Sequence, residues 1–424
     1  RDAGGTFEGI LELMEDPMRR TLSLVLALAT LAAAEDWTPP ENKNAALAYW
    51  RAFSMMKDLP SDEETSEKIR KVLSGEAAWD DSLQGVVDEN ADAVKGLHRG
   101  SRLPECTFGV DYEDGAAMLL PHLAKARALG KLNVLQARRC VAQGRHAEAV
   151  DALLCGARFA DHLWRDGTLI NGLVAKAVLS MHLRALIQVV GEGKLDAATL
   201  GRVDAAMRAL PPYAFDWGAV ILSEKACFAI EWERILGAAD PKAVMEEGGM
   251  FQQEYGSIQD LAAGKASKEV AERFRKEWGM EPTDLADAEK VRECVKRSRE
   301  DYHGVIGDMG AAMRGSYLEA APKIAEIEGR ADAQRALARM LIPALGKTNE
   351  QRAMAEVERA GLIVLVTLAP NYKPSAEAMM GPLALPGDPY TGKAFELVET
   401  EAGWEVRTGA KDDDGKPKVF RMAR

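Results

Sequence analysis

The chain has 424 residues, 47% of them hydrophobic and 28% charged, a balance that speaks for a folded protein and against a disordered or fibrous one. Its length allows two or three domains. A formal net charge of −12 without a long Lys/Arg run speaks against a surface that tracks phosphates, so nucleic acid is not an expected partner.

The N-terminal region carries an export signal. From Met18 to Asp36 the sequence MRRTLSLVLALATLAAAED has a basic start at Arg19 and Arg20, an uncharged Leu/Ala-rich run and the small-residue end Ala32-Ala33-Ala34. This is the pattern of a secretory signal peptide over 18–34, cleaved after Ala34. The apolar run falls short of the about 20 residues that span a bilayer comfortably, so export to the periplasm or envelope is expected, with no integral membrane span after cleavage. The codons of Met14-Glu15-Asp16 place a purine-rich GGARGA just ahead of the Met18 codon, as a bacterial ribosome-binding site would be. Translation is therefore expected to start at Met18, with residues 1–17 an artefact of gene calling.

An oxidising compartment permits disulfides. Of the five cysteines, Cys140 and Cys155 lie on successive helices at unequal distances from the connecting turn and are expected to stay unbridged. Cys106, in a loop, is the better disulfide candidate. No C-x-x-C occurs, so neither a redox pair nor a zinc knuckle is supported.

Residues 44–99 read as a small group of helices. Asn44 is an N-cap, with Leu47, Trp50 and Phe53 spaced along one apolar face. Ser61 and Glu64 form a capping box for a second helix, and a third is expected across DSLQGVVDENADAVKGLH. The loop SRLPECTFGVDYEDG then interrupts the pattern. Its acids Asp111, Glu113 and Asp114, with His122 downstream, are the best polar cluster in a loop, where sites tend to lie. Asp111, Glu113 and His122 are the candidate catalytic residues of a paired-carboxylate or His-carboxylate hydrolase; helix capping is their competing use.

Residues 115–346 read as a helical core. Pro121 suits a first turn, while Gly144 and Gly167 end two long helices, so antiparallel hairpins follow. The next helix, from Leu169 through Leu186, is apolar almost all round and is expected to be central. The spacing of Gly144, Ala149 and Leu153 resembles half of a tetratricopeptide repeat. Asn133 and Gln136 depart from that pattern, and no second copy follows, which leaves a single repeat-like hairpin. His162 is read as a cation near the last carbonyls of its helix. DLADAEKVRECVKRSREDYHGVIGDMG reads as a long, largely solvated helix, and the Gly-rich stretch before it as a hinge or lid.

Residues 349–424 read as a helix from Asn349 to Ala369 followed by a small antiparallel β-meander at AFELVE, WEVRT and PKVFRM. Phe395, Leu397, Val406, Val419 and Phe420 supply its apolar face. The fold class expected is thus mainly α, with antiparallel helical hairpins and a small C-terminal sheet. NAALAYWRAF, CTFGVDYEDGAAMLLPHLAKARAL and GTLINGLVAKAV resemble blocks in a group of exported helical proteins of planctomycete-type bacteria; that resemblance implies fold and location, and no activity. Asp388-Pro389-Tyr390, Gly392 and Lys393 resemble the turn of a pseudopilin-like C-terminal module. That likeness makes Asp412, Asp413 and Asp414 candidate calcium ligands, although they lack the alternating spacing of a calcium loop.

Familiar catalytic signatures are missing from the sequence. The six histidines form no His-Glu-x-x-His pair, and there is no nucleophile elbow or phosphate-binding glycine loop, so no cofactor is expected. Ser54-Met55-Met56-Lys57 matches Ser-x-x-Lys without its companion motifs. Two readings remain: a non-catalytic, protein-binding or scaffold protein of the envelope, and an exported hydrolase with a site assembled from distant residues.

Overall fold

A computed structural model describes residues 42–247, 255–332, 345–374, 385–411 and 415–424. The proposed leader and the acidic residues Asp412, Asp413 and Asp414 therefore lie outside the described residues. The chain is mainly helical with a small three-stranded antiparallel sheet at its C-terminus. Contacts divide it into a short unit, Arg1–Lys43, and a large one, Asn44–Arg424. Within the large unit one apolar cluster runs from Ala45 to Met422, so the three regions read from the sequence share a core.

Helix α1 (Ala45–Met55) starts where expected: Asn44 Oδ1 accepts from the Ala46 amide at 3.0 Å. Its buried face differs from the expected one. Ala45, Ala46, Tyr49, Ala52 and Phe53 point inward, whereas Leu47 is 59% and Trp50 37% exposed. Close approach explains the turn of the helix. A Cβ built on Gly96 would stand 2.8 Å from Ala52 Cβ, and one on Gly100 would stand 2.3 Å from the Tyr49 ring. The small residues of α1 and α3 (Ala91–Gly100) thus set the interface, and the large apolar ones are left outside. Between them, α2 (Glu63–Ser74) is capped by Asp62, which accepts from Thr65 N at 2.8 Å, one residue later than the capping box expected at Ser61. The third expected helix is broken at Asn90 into Gln84–Glu89 and α3.

Helices α4 (Pro121–Ala142), α5 (His146–Leu163) and α6 (Leu169–Gly191) form the two antiparallel hairpins, with Gly144 and Gly167 at φ of 75° and 76° in the turns. The repeat-like positions Ala149 and Leu153 are fully buried. Asn133, the departure from the repeat pattern, is also buried and ties its own helix α4 to α3, α5 and α6. Its Nδ2 donates to Ala152 O at 2.7 Å and lies 3.1 Å from His182 Nε2, while its Oδ1 lies 2.7 Å from His98 Nε2. Only glycine fits at 156, because a Cβ there would stand 2.0 Å from His182 Nε2. Helix α6 is long and apolar enough to cross a membrane by length and composition, yet 61% of that window is buried inside the protein. It is the central helix that the sequence implies, with Ile170 as an exposed exception.

After α7 (Ala197–Ala209), α8 (Trp217–Cys227) and α9 (Ala229–Gly237), the shorter helices Pro241–Glu247, Ile258–Ala262 and Lys268–Trp278 lead to the long helix α10 (Ala288–Ala312). The expectation that α10 is largely solvated is corrected: Val291, Cys294, Val295, Tyr302, Val305, Ile306 and Met309 are buried. They form a stripe at helical spacing between charged neighbours, and the stripe packs against α8 and α11 (Tyr317–Asp332). Part of the hinge or lid stretch, residues 248–254, lies outside the described residues; Tyr255, Ile258 and Leu261, beyond it, are buried in the core.

Helix α12 (Leu345–Leu368) is anchored by two arginines that serve the carbonyls left open at the ends of other helices. Arg352 donates to Met313 O at 2.9 Å and Gly315 O at 3.0 Å, beyond α10. Arg359 donates to Met207 O in α7 at 2.8 Å and pairs with Glu356. Strands β1 (Glu396–Thr400), β2 (Gly403–Lys411) and β3 (Pro417–Ala423) pair in that order. Phe420 lies over Gly361 of α12, where an added Cβ would meet its ring at 2.1 Å, and Arg421 O approaches Gly191 at the end of α6. Leu397 is 45% exposed although its partner Val406 is fully buried, because β1 is the outer strand and the core reaches only β2 and β3. Asp388 brackets the sheet: buried, it accepts from Tyr390 N at 3.0 Å and Gly409 N at 2.6 Å, while Gly392, at φ 68°, donates its amide to Asp388 O.

Candidate functional site

The loop that holds the candidate acids is pinned from two sides. Asn44 exchanges two hydrogen bonds with the Thr107 backbone, and Asp166 accepts from Thr107 Oγ1 at 2.7 Å and from Phe108 N at 2.6 Å. Tyr112 Oη donates to Asp166 O at 2.5 Å. Phe108 is thereby laid on His122, ring centroids 4.4 Å apart and planes 11° from parallel. His122 is buried, with Nε2 3.4 Å from Asn171 Nδ2, and burial lowers its pKa.

Asp111 and Glu113 stay outside this pocket of rings. Both are exposed, and Asp111 accepts from Glu113 N at 2.9 Å to start the short 3-10 turn Tyr112–Ala117. Among the described residues no hydrogen bond or ion pair joins Asp111, Glu113 or Asp114 to His122.

His162 is corrected from a helix-end cation to a neutral core group. It is fully buried, with Nδ1 2.7 Å from Tyr49 Oη, and burial pushes its pKa down to about 4. The neighbouring Asp161 takes the charged role, accepting from Arg165 at 2.7 Å and Arg158 at 3.0 Å. Cys106 is likewise corrected: it forms no disulfide, and burial pushes its thiol up to about 12, far from a reactive thiolate. Ser54 Oγ is engaged with Arg51 O at 2.8 Å on an exposed turn, which gives the Ser-x-x-Lys match no pocket. Among the described residues no group of three or more His, Cys, Asp or Glu is placed to hold a metal.

A different site emerges on the other side of α6. Three concavities meet at Arg184. The first, about 760 Å³, lies between α4, α6 and β3, with Arg138, Arg184, Lys418 and Arg421 against one carboxylate, Glu192. The second, about 720 Å³, adds Lys176, Lys347 and Lys411 against Glu350 and Glu358. The third, about 290 Å³, adds Arg70 and Lys131 and no carboxylate. Cations thus outnumber carboxylates threefold along this groove, in a chain whose net charge is −12. The absence of a Lys/Arg run did not preclude a basic surface, because the fold collects cations from separate segments.

The pairing inside the groove is incomplete. Glu358, almost fully buried, takes Lys418 at 2.6 Å and Arg184 at 3.2 Å through Oε1, and its Oε2 has no partner. Lys131, Arg138, Lys176, Lys347 and Lys411 have no ion-pair partner among the described residues. Arg138 donates to Gln188, yet its Nε is buried without an acceptor, and burial pushes its pKa down to about 10. Burial also lowers the Lys176 pKa. Lys176, Ser180, Arg184, Gln188 and Glu192 follow one another at i, i+4 and form a single ridge of α6.

Sequence reasoning missed this groove, although one signal was available. Lys176 and Arg184 are the two acid- or base-charged residues in the otherwise apolar stretch 169–191, and such charges must face a polar surface. No known protein family, curated protein or solved structure matches the chain.

Proposed function

We propose that the chain is an exported, non-catalytic binding protein of the periplasm or cell envelope, and that the groove along α6 docks a protein partner. The leader-like pattern at 18–34 supports export. The observation that carries the binding role is the continuity of three concavities around Arg184, each rimmed by different elements of the fold. The candidate hydrolase residues lend the catalytic reading no such support, since His122 is stacked on Phe108 and Asp111 caps a turn.

The test is site-specific photo-crosslinking in cells that express the chain from Met18. A crosslinker in place of Lys347 or Arg421, both exposed on the groove, is expected to give the same discrete protein adduct, and one in place of the remote, exposed Glu272 none. Equal labelling from all three positions, or an ester-, peptide- or glycoside-cleaving activity abolished by Asp111→Asn or His122→Asn in a folded protein, would overturn the reading.

A further inference from the structure

We infer that the occupant of the groove is a short, acidic polypeptide segment in extended conformation; this rests on the docking reading above. The ridge from Lys176 to Glu192 is about 24 Å long at the helical rise, which matches about seven residues of extended peptide. Along that length the groove offers Arg138, Lys176, Lys347 and Lys411, cations with no ion-pair partner among the described residues. Arg138 lines the first concavity without a carboxylate partner among the described residues, and an incoming carboxylate supplies one to its guanidinium.

The groove's other wall narrows the chemistry. Trp79, Ile187, Val419 and Phe420 line the same first concavity as Arg138, Arg184 and Lys418, so an occupant with acidic and apolar side chains in alternation uses both kinds of contact. Length and net charge favour a short segment over a long polyanion. The rest of the chain is net acidic, and a long polyanion such as a nucleic acid or an acidic polysaccharide extending past the groove would meet like charge.

The experiment uses the full exported chain and a fluorescein-labelled ten-residue peptide of alternating glutamate and valine, read by anisotropy. Binding is expected, weakening as salt rises from about 50 to about 300 mM, as screened ion pairs do. The double variant Lys347→Glu with Lys411→Glu changes two exposed cations that have no ion-pair partner among the described residues, so the fold is expected to persist while affinity falls about tenfold. Arg138→Gln serves as an independent second variant. Equal binding of a glutamine-valine peptide, unchanged affinity in both variants, or tighter binding of polygalacturonate or of phosphatidylglycerol vesicles overturns the inference. If the acidic peptide fails while the groove crosslinks persist, the acidic-segment inference falls and the docking reading stands; if the crosslinks also fail, the docking reading falls too.

Discussion

Two polar regions of the molecule, the hydrogen-bonded interior beneath α1 and the groove along α6, treat their polar groups in opposite ways. Beneath α1 the polar groups turn inward and find partners within the chain: Tyr49 meets His162, Asn133 links His98 to His182, and Asp166 holds the Thr107 hydroxyl and the Phe108 amide. Along the groove, cations gather around open concavities, and Arg138, Lys176, Lys347 and Lys411 have no ion-pair partner among the described residues. A buried polar group that is satisfied within the chain specifies packing, and one left unsatisfied costs free energy until something binds. The contrast separates the part of the molecule that holds the fold from the part that is available to a ligand.

The sharpest way to break the comparison is to damage the first region and ask whether the second follows. Phe159→Ala removes a fully buried ring lying 4.5 Å from Tyr49 and is expected to cost about 3–5 kcal/mol in denaturant unfolding. Gly156→Ala pushes a methyl group into His182 and is expected to cost about 1–3 kcal/mol by the same measurement. A loss below about 0.5 kcal/mol for either would show that this interior is not the packing centre described.

Acid provides a reversible version. His162 and His182 are both held at about 4 by burial, against an ordinary 6.5. Because the unfolded chain then binds more protons than the native one, the stability that the neutral rings contribute is complete above about pH 6.5. It is lost progressively as pH falls toward 4. His162→Gln, which keeps a hydrogen-bonding partner for Tyr49 and cannot titrate, is expected to flatten that acid limb in a series of melts; an unchanged limb would remove His162 from the account.

The smallest expected effect belongs to the groove. Lys347→Glu with Lys411→Glu is expected to shift unfolding by no more than about 0.5 kcal/mol, since both side chains are exposed and neither has an ion-pair partner among the described residues. A large loss of stability would mean that these cations serve the fold and that the two regions do not differ in kind.

The two regions were also unequally legible in the sequence. Helix ends could be read because their signals are local: Asn44, Pro121, Gly144 and Gly167 act within a few residues. Facing was harder to read, because Leu47 and Trp50 looked like the core side by size, while close packing of Ala52 against Gly96 decided the matter. His162 looked like a helix-end cation for the same reason, its distant neighbour Tyr49 being invisible along the chain. The groove was illegible because Arg138, Arg184, Lys347 and Lys418 lie far apart in sequence and converge only after folding, and a net charge of −12 averages them away.

Helix α6 has a further consequence for biogenesis. Twenty-three residues of this hydropathy resemble a stop-transfer sequence to a translocation channel, which samples each segment before tertiary burial can protect it. Lys176 and Arg184 stand well inside that segment, where a basic side chain opposes partition into lipid by up to about 2.5–3.5 kcal/mol. For a chain exported as proposed, the same two charges that floor the groove also discourage the helix from lodging in the bilayer on the way out.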